Sequence, residues 1–245
     1  MTDRPILFSA PMIRALLEGR KTMTRRLLTA SNSSFGSAPR EFWDHADFTK
    51  AWPDGAVDSG MYLHVPCHCQ EDEHQKIIGV DCRRCDEMGW STTSHRLWPT
   101  VRGGDRLWVR ETWRGAACTD HLPPREIQGA CCWYEADSNA PEWAGKLRPS
   151  IFLPQKLSRL TLIVTGAKVE RVQDISEADA IAEGCAGTLG PNSDFPDEWD
   201  PSPCEEFAEL WGRINGAGSW NENPWVVAIT FRVIHANIDR IEPAP

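Results

Sequence analysis

The chain has 245 residues, enough to bury a sizeable core in one elaborated domain, and its 26 Lys and Arg against 35 Asp and Glu leave a net charge of -9. That excess of acid opposes sequence-independent wrapping of a long phosphate backbone, while a local basic pocket stays compatible with it. No apolar run reaches the roughly 18 residues of a bilayer span, and the opening MTDRPILFSAPM lacks the apolar stretch of a secretory signal, so the expectation is a cytoplasmic protein with no membrane partner.

Ser9 and Pro11 mark a helix start, Met12, Ala15 and Leu16 give that helix an apolar stripe, and Gly19 supplies a left-handed stop. Directly after it comes Gly19-Arg20-Lys21-Thr22-Met23-Thr24-Arg25-Arg26, a lysine and a hydroxyl three residues apart within a cluster of cations. A hydroxyl is a poor nucleophile until a base takes its proton, and a lysine is such a base only when its pKa falls from the usual ~10.4. Arg20, Arg25 and Arg26 are cations placed to lower it. In a regular strand residues 21 and 24 project to opposite faces, so pairing Lys21 with Thr24 requires a bulge or turn between them.

Residues 28–60, rich in Ser, Gly, Pro and Asp, read as an inserted loop. Residues 61–98 read as a Cys-rich insertion, with Cys67-His68-Cys69 followed after twelve residues by Cys82-Arg83-Arg84-Cys85. Four thiolates in two close pairs can close a tetrahedral, zinc-ribbon-like site in which Zn2+ replaces a missing core. The single residue inside the first pair leaves His64, His68, His74 or His95 as a substitute for one cysteine. Free thiols in a flexible insertion are the other reading. A four-cysteine site has no open position for water, so such a zinc is structural rather than catalytic. Nine cysteines is an odd number, and Cys118, Cys131, Cys132, Cys185 and Cys204 are scattered, which argues against a secreted disulfide framework.

Gly103-Gly104-Asp105 signals a turn, and Arg106 to Glu111 reads as a short strand. Glu111 and Trp113 then reach a pocket at a barrel's end, or else form a strand-end ion pair and a core aromatic. Residues 114–150 read as a further insertion with short strands at best. Leu157 to Val172 reads as a strand pair broken at Thr165-Gly166-Ala167. Asp174 to Gly184 is a compact helix with Ser176 and Asp179 as a capping box and Gly184 as its end.

Glu183 lies in the last turn of that helix, where the macrodipole disfavours an anion, so it needs a partner or solvent. If it faces the 19–26 octet, Lys21 or Arg26 is the partner, and a base, a hydroxyl and a carboxylate share one site with the parts for acyl transfer or hydrolysis. Ser202-Pro203-Cys204-Glu205 starts another helix, with Phe207, Leu210, Trp211 and Ile214 at helical spacing on a face expected to pack on a sheet. Trp225 to Ile234 is an almost continuous run of strand formers, expected as a central strand.

Gly19-x-Lys21-x-x-Thr24-x-Arg26 resembles the signature of the ASCH domain, a PUA-like β-barrel, and Pro5 to Arg26 resembles the start of ASCH proteins carried by bacteriophages and prophages. Gly104 to Trp113, Val169 to Gly184, and Phe207 to Val233 are similar to later blocks of those proteins, in the same order. The resemblance implies an α+β fold, a PUA-like (ASCH) β-barrel with flanking helices, forming a single domain over 1–245 with the insertions at 28–60, 61–98 and 114–150. Small bacterial ASCH proteins include amidohydrolases that remove acyl groups from N4-acetylcytidine and related nucleosides. Carried over by position, the implied catalytic set is Lys21, Thr24 and Glu183. Lys21 would deprotonate Thr24, Thr24 would attack the acyl carbonyl, and Glu183 would orient the lysine or protonate the leaving amine. Arg26 and Glu111 are the substrate-binding candidates, and no metal is required for the chemistry. The rival readings of the same barrel are a module that binds RNA or modified nucleic acid without turnover, and a ribonuclease. The chain is much longer than those small enzymes, so its insertions can roof or reshape the site.

Overall fold

Runs of β-branched and aromatic residues set the strands, and capping residues set where the helices begin. The computed structural model describes residues 2–28, 101–129, 132–187 and 201–241, together with the backbone of 61–63 and 95–97. In chain order the elements are β1 (Asp3–Leu7), α1 (Ala10–Leu17), β2 (Met23–Leu27), β3 (Met61–Leu63), β4 (His95–Leu97), β5 (Arg106–Arg110), β6 (Trp113–Ala116), β7 (Trp133–Tyr134), β8 (Ala144–Arg148), β9 (Thr161–Arg171), α2 (Glu177–Ala182), α3 (Pro203–Asn215) and β10 (Trp225–Ile234), with short 3-10 turns between some of them. The chain divides into two compact units, residues 1–26 with 101–245, and residues 27–100. The segments expected as insertions at 28–60 and 61–98 thus fall together in the second unit, whereas 114–150 belongs to the first.

The first unit is a mixed α+β structure built on a five-stranded sheet in the order β1-β5-β9-β10-β2. Strands β1 and β5 run parallel with Leu7 opposite Arg110, and β9 pairs antiparallel with both β5 and β10. The backbone pairing is open, with β1 and β2 as the two edges. In a flat sheet four strand spacings would hold those edges roughly 19 Å apart. Yet Arg26 on β2 donates from Nη2 to the Leu7 carbonyl on β1 at 2.6 Å. An arginine side chain reaches about 7 Å, so the sheet must curl until its edges face each other.

Strand β10 is internal, between β9 and β2, as its apolar run predicts, and Val226 to Ile229 and Phe231 are buried. The expected strand pair over 157–172 is corrected to a single strand. Leu157 ends a 3-10 turn, and β9 then runs unbroken from Thr161 to Arg171. The register slips between Thr230, opposite Gly166, and Phe231, opposite Val164, which leaves Thr165 as the extra residue of a β-bulge. A bulge bends a strand without reversing it, so the same breaker residues gave the signal of a turn. Gly166 is required there, because a Cβ would sit 2.9 Å from Thr230 Oγ1.

The helices follow their caps. Ser9 holds the N-cap position of α1 without a side-chain cap hydrogen bond, with Pro11 in the first turn, and Ile13, Ala15 and Leu16 are the buried face, so the stripe includes Ile13 where Met12 had been expected. Ser176 caps α2 by accepting from the Asp179 N–H at 3.2 Å. The expected box is only half made, because the Asp179 carboxylate goes instead to Arg25 and Lys168. The helix is also shorter than the 174–184 span, since Val172–Asp174 forms its own 3-10 turn. Ser202 and Glu205 complete a capping box on α3. Phe207 and Trp211 on α3 bury against Val172, Ile175, Ala180, Cys185 and Val226. The helix therefore rests chiefly on α2 and its flanks, with one sheet residue, rather than on a broad sheet face, and Ile214 is exposed.

Over 114–150 the short strands expected there form a small sheet ordered β7-β6-β8, and Trp113 on β6 is fully buried with Ile127, Leu153 and Leu157. In the second unit β3 and β4 pair antiparallel, with Leu63 opposite His95. Cys67, Cys69, Cys82 and Cys85, the histidines proposed as substitutes at 64, 68 and 74, and residues 29–60 lie outside the described residues. Cys118, Cys132, Cys185 and Cys204 are free thiols. Among the described residues no helix is long and apolar enough to cross a membrane.

Candidate active site

Between the end of α1 and the start of β2 the chain makes the turn that the spacing of Lys21 and Thr24 demands. Gly19 adopts φ +73°, the Lys21 N–H donates to the Ala15 carbonyl at 3.0 Å, and β2 begins only at Met23. Lys21 thus stands outside the regular strand, and the alternation rule does not govern its direction. The next residue is held from two sides. The Thr22 N–H donates to the Ala182 carbonyl at the end of α2 (2.8 Å), and the Phe231 N–H on β10 donates to the Thr22 carbonyl (3.0 Å).

Lys21 is fully buried, and its amine meets Glu183 twice, donating to the side-chain Oε2 and to the main-chain carbonyl, both at 2.7 Å. Glu183 is the C-cap of α2, buried at 4 % exposure, so the carboxylate that the helix dipole disfavours is met by the Lys21 amine rather than by water. Gly184 makes this approach possible. It has φ +99°, and a Cβ there would lie 3.2 Å from the Ala15 Cβ and 3.6 Å from the Lys21 Cβ. Burial pushes the Lys21 amine below its ordinary pKa, the charge and hydrogen bond of Glu183 push it back, and Arg26 adds to the lowering. The net direction is down, because desolvation of a fully buried ammonium outweighs one good partner. Of the three arginines expected to act on Lys21, Arg26 does so, whereas Arg20 is exposed and paired with Glu18 and Arg25 is taken up by carboxylates.

Strand β2 then divides its side chains by alternation. Arg25 turns to the helices, where it pairs with Glu170 (2.6 Å), Asp179 (2.7 Å) and, more loosely, Glu183 Oε1 (3.5 Å), with the Phe207 ring 5.9 Å away. Burial pushes the Asp179 carboxyl up, but the Arg25 hydrogen bond and the Lys168 and Arg25 charges outweigh it and hold it below the usual range. Thr24 and Arg26 occupy the other face of the strand. Thr24 is buried, and the Arg26 guanidinium lies 5.0 Å from the centre of the Phe8 ring, the same ring that the Lys21 amine overlies at 5.8 Å. Lys21 and Arg26 therefore converge on Phe8, with Thr24 two residues before Arg26. No hydrogen bond joins the Lys21 amine to the Thr24 hydroxyl among the described residues.

Glu111 is buried at 1 % exposure, but both of its oxygens accept from Arg159, Oε1 from Nε and Oε2 from Nη2, each at 2.9 Å. Arg159 also forks onto Asp137 and stacks on the Tyr134 ring at 4.2 Å. Burial pushes the Glu111 carboxyl up against the opposing Arg159 charge. Among the described residues no ion pair or hydrogen bond connects Glu111 to Lys21, Thr24 or Glu183. Trp113 takes the core position.

The fold brings Lys21 and Glu183 into contact across 162 residues of chain, and alternation along β2 puts Thr24 and Arg26 on the strand face opposite Arg25. Sequence reading missed the second layer, Glu170, Asp179 and Lys168 around Arg25, and it missed Phe8. Asp179 was disguised by its capping spacing. Phe8, an aromatic immediately before the Ser9 cap, carried a packing signal only. Comparison with protein families, with curated proteins and with solved structures found no match to this chain.

Removing one member of a buried pair leaves the other uncompensated, which costs on the order of 3 kcal/mol. Glu183→Ala is therefore expected to lower unfolding stability in urea by about that amount, and the double change Lys21→Met with Glu183→Leu by less. Equal stability of Glu183→Ala and the parent would show that the pair is not formed.

Proposed function

We propose that the chain is an amidohydrolase that removes the acyl group of N4-acylated cytosine nucleosides, of the N4-acetylcytidine type, on a PUA-like (ASCH) fold. The observation that carries the reading is the state of the Lys21 amine. It is buried, it donates two hydrogen bonds to Glu183, and among the described residues its third position has no acceptor. As an ammonium it would leave one N–H unsatisfied in a buried place; as a neutral amine the same position is a lone pair free to take a proton. Burial lowers the pKa of the amine against the charge and hydrogen bond of Glu183, so the neutral form is more accessible here than in an ordinary lysine. The Phe8 ring favours the cation, and at 5.8 Å it does so weakly.

In this mechanism the neutral Lys21 takes the Thr24 hydroxyl proton as the oxygen attacks the acyl carbonyl. The transfer requires the hydroxyl to come within about 3 Å of the amine in the substrate complex, or one bridging water. The tetrahedral intermediate then collapses, and the Lys21 ammonium gives its proton to the departing N4 amine. A water molecule, deprotonated by the same lysine, cleaves the acyl-threonine ester and restores the enzyme. Glu183 holds the amine in place in both charge states. Support for the fold comes from the curled five-stranded sheet, whose two edge strands are bridged by Arg26.

The same reading includes a structural Zn2+ in the 61–98 segment, held by Cys67, Cys69, Cys82 and Cys85. The two close pairs of thiols supply the four ligands of a tetrahedral site, and β3 and β4, which flank them in the chain, are paired. Elemental analysis is expected to give one zinc per chain, lost when Cys82 and Cys85 are changed to Ser; a metal-free, folded chain would remove the assignment.

Incubation with N4-acetylcytidine is expected to release cytidine and acetate. Lys21→Ala and Thr24→Val should each lower kcat by 100-fold or more, in the usual range for a lost base or nucleophile. Because the base must be neutral, kcat/KM should rise with pH to a plateau whose midpoint lies below the ~10.4 of an ordinary lysine. Tight RNA binding without release of cytidine would overturn the hydrolase in favour of a binding module, and cleavage of RNA would favour a ribonuclease.

A further inference from the structure

Four cations surround the Lys21 site, and three of them are neutralised at close range. Lys21 has Glu183 at 2.7 Å; Arg25 has Glu170 and Asp179 at 2.6 and 2.7 Å; Lys168 has Glu170 and Asp179 at 2.8 and 3.3 Å. Arg26 has no carboxylate within 4 Å among the described residues. Its hydrogen bond runs to a neutral group, the Leu7 carbonyl, its Nε is buried with no partner, and the Phe8 ring covers one side. A guanidinium does not discharge at any ordinary pH, so this one is held half-buried, charged and short of an anion. Leu7, whose carbonyl takes that bond, is exposed, and Arg26 itself is only partly buried.

We propose that the ligand of this site carries a phosphate ester and that Arg26 is the residue that binds it. For the rest of the ligand this rests on the cytosine reading above, which makes the substrate class an N4-acylated cytidine nucleotide, or the same base within an oligonucleotide, rather than the free nucleoside. A planar fork with donors to spare matches two phosphate oxygens and forms charge-assisted bonds. Arg26 shares the Phe8 ring with Lys21 and the strand face with Thr24, so one ligand can place its acyl group at the hydroxyl and its anion at the guanidinium. A chain of net charge -9 repels anions over its surface at large, and the unneutralised cation gives them one place to bind.

The test is calorimetric binding at low ionic strength of cytidine, 5′-CMP, 5′-AMP and a cytidylyl dinucleotide, with no turnover required. CMP is expected to bind about tenfold or more tightly than cytidine, with the advantage shrinking in salt and vanishing in Arg26→Gln. Arg26→Lys, which keeps the charge without the fork, should retain a smaller, salt-sensitive preference, and it carries the test if Arg26→Gln does not fold. Stronger binding of the dinucleotide than of CMP would identify a polymer as the source of the phosphate. Arg26-dependent binding of AMP as tight as that of CMP would keep the anion site and remove the cytosine reading. Equal affinities for CMP and cytidine, or a CMP preference undiminished in the Arg26 variants, would overturn the anion site even if N4-acetylcytidine is hydrolysed.

Discussion

A lysine amine taken fully out of water against the end of a six-residue helix is the constraint around which the rest of this site is arranged. Nothing local in the sequence of residues 19–26 would bury it. The burial comes from α2, whose last residues pack on the turn after α1, and it needs two glycines in left-handed conformations, Gly19 to end α1 and Gly184 to let α2 approach. Glu183 supplies two acceptors from one residue, so a single helix end both compensates the charge and fixes the direction of the amine. Desolvation then works against the ammonium that Glu183 sustains, and an amine near that balance can exchange a proton.

The same arrangement explains why β2 carries two adjacent arginines with different tasks. Alternation sends Arg25 toward α2 and α3, where three carboxylates share it, and Arg26 to the other side, where none does. Arg25 keeps Glu183, Asp179 and Glu170 from repelling one another and so stiffens the wall behind Lys21. Arg26 bridges the edge strands through the Leu7 carbonyl, feels the Glu183 charge only at longer range, and keeps a buried Nε without a hydrogen-bond partner.

Much of this was legible before any coordinates. The apolar run at 225–234, the Ser9 and Ser202 starts, and the Glu183 carboxylate at an unfavourable helix end all follow local rules, and each sits where those rules place it. Where reading failed, two structures shared one local signal. Thr165-Gly166 as a bulge and as a turn have the same residues, and only the partner strand distinguishes them. Asp179 satisfies the spacing of a capping box, yet Arg25, 154 residues away, binds its carboxylate instead. Glu111 followed a turn near the expected site, and its commitment to Arg159 depends on a contact 48 residues away. These are tertiary choices between locally equivalent options, and period and propensity do not encode them.

The central physical claim, a Lys21 amine whose burial outweighs its partner, is open to direct titration. With lysine labelled at 13Cε and the Lys21 signal assigned through Lys21→Arg, its chemical shift can be followed by NMR across the alkaline range. The expected midpoint lies below the ~10.4 of a free lysine and falls further in Glu183→Gln, where the carboxylate that favours the ammonium is gone. A midpoint at or above ~10.4 in the parent protein would mean that Lys21 is an ordinary ion-paired cation, and the base at the centre of the proposed chemistry would not exist.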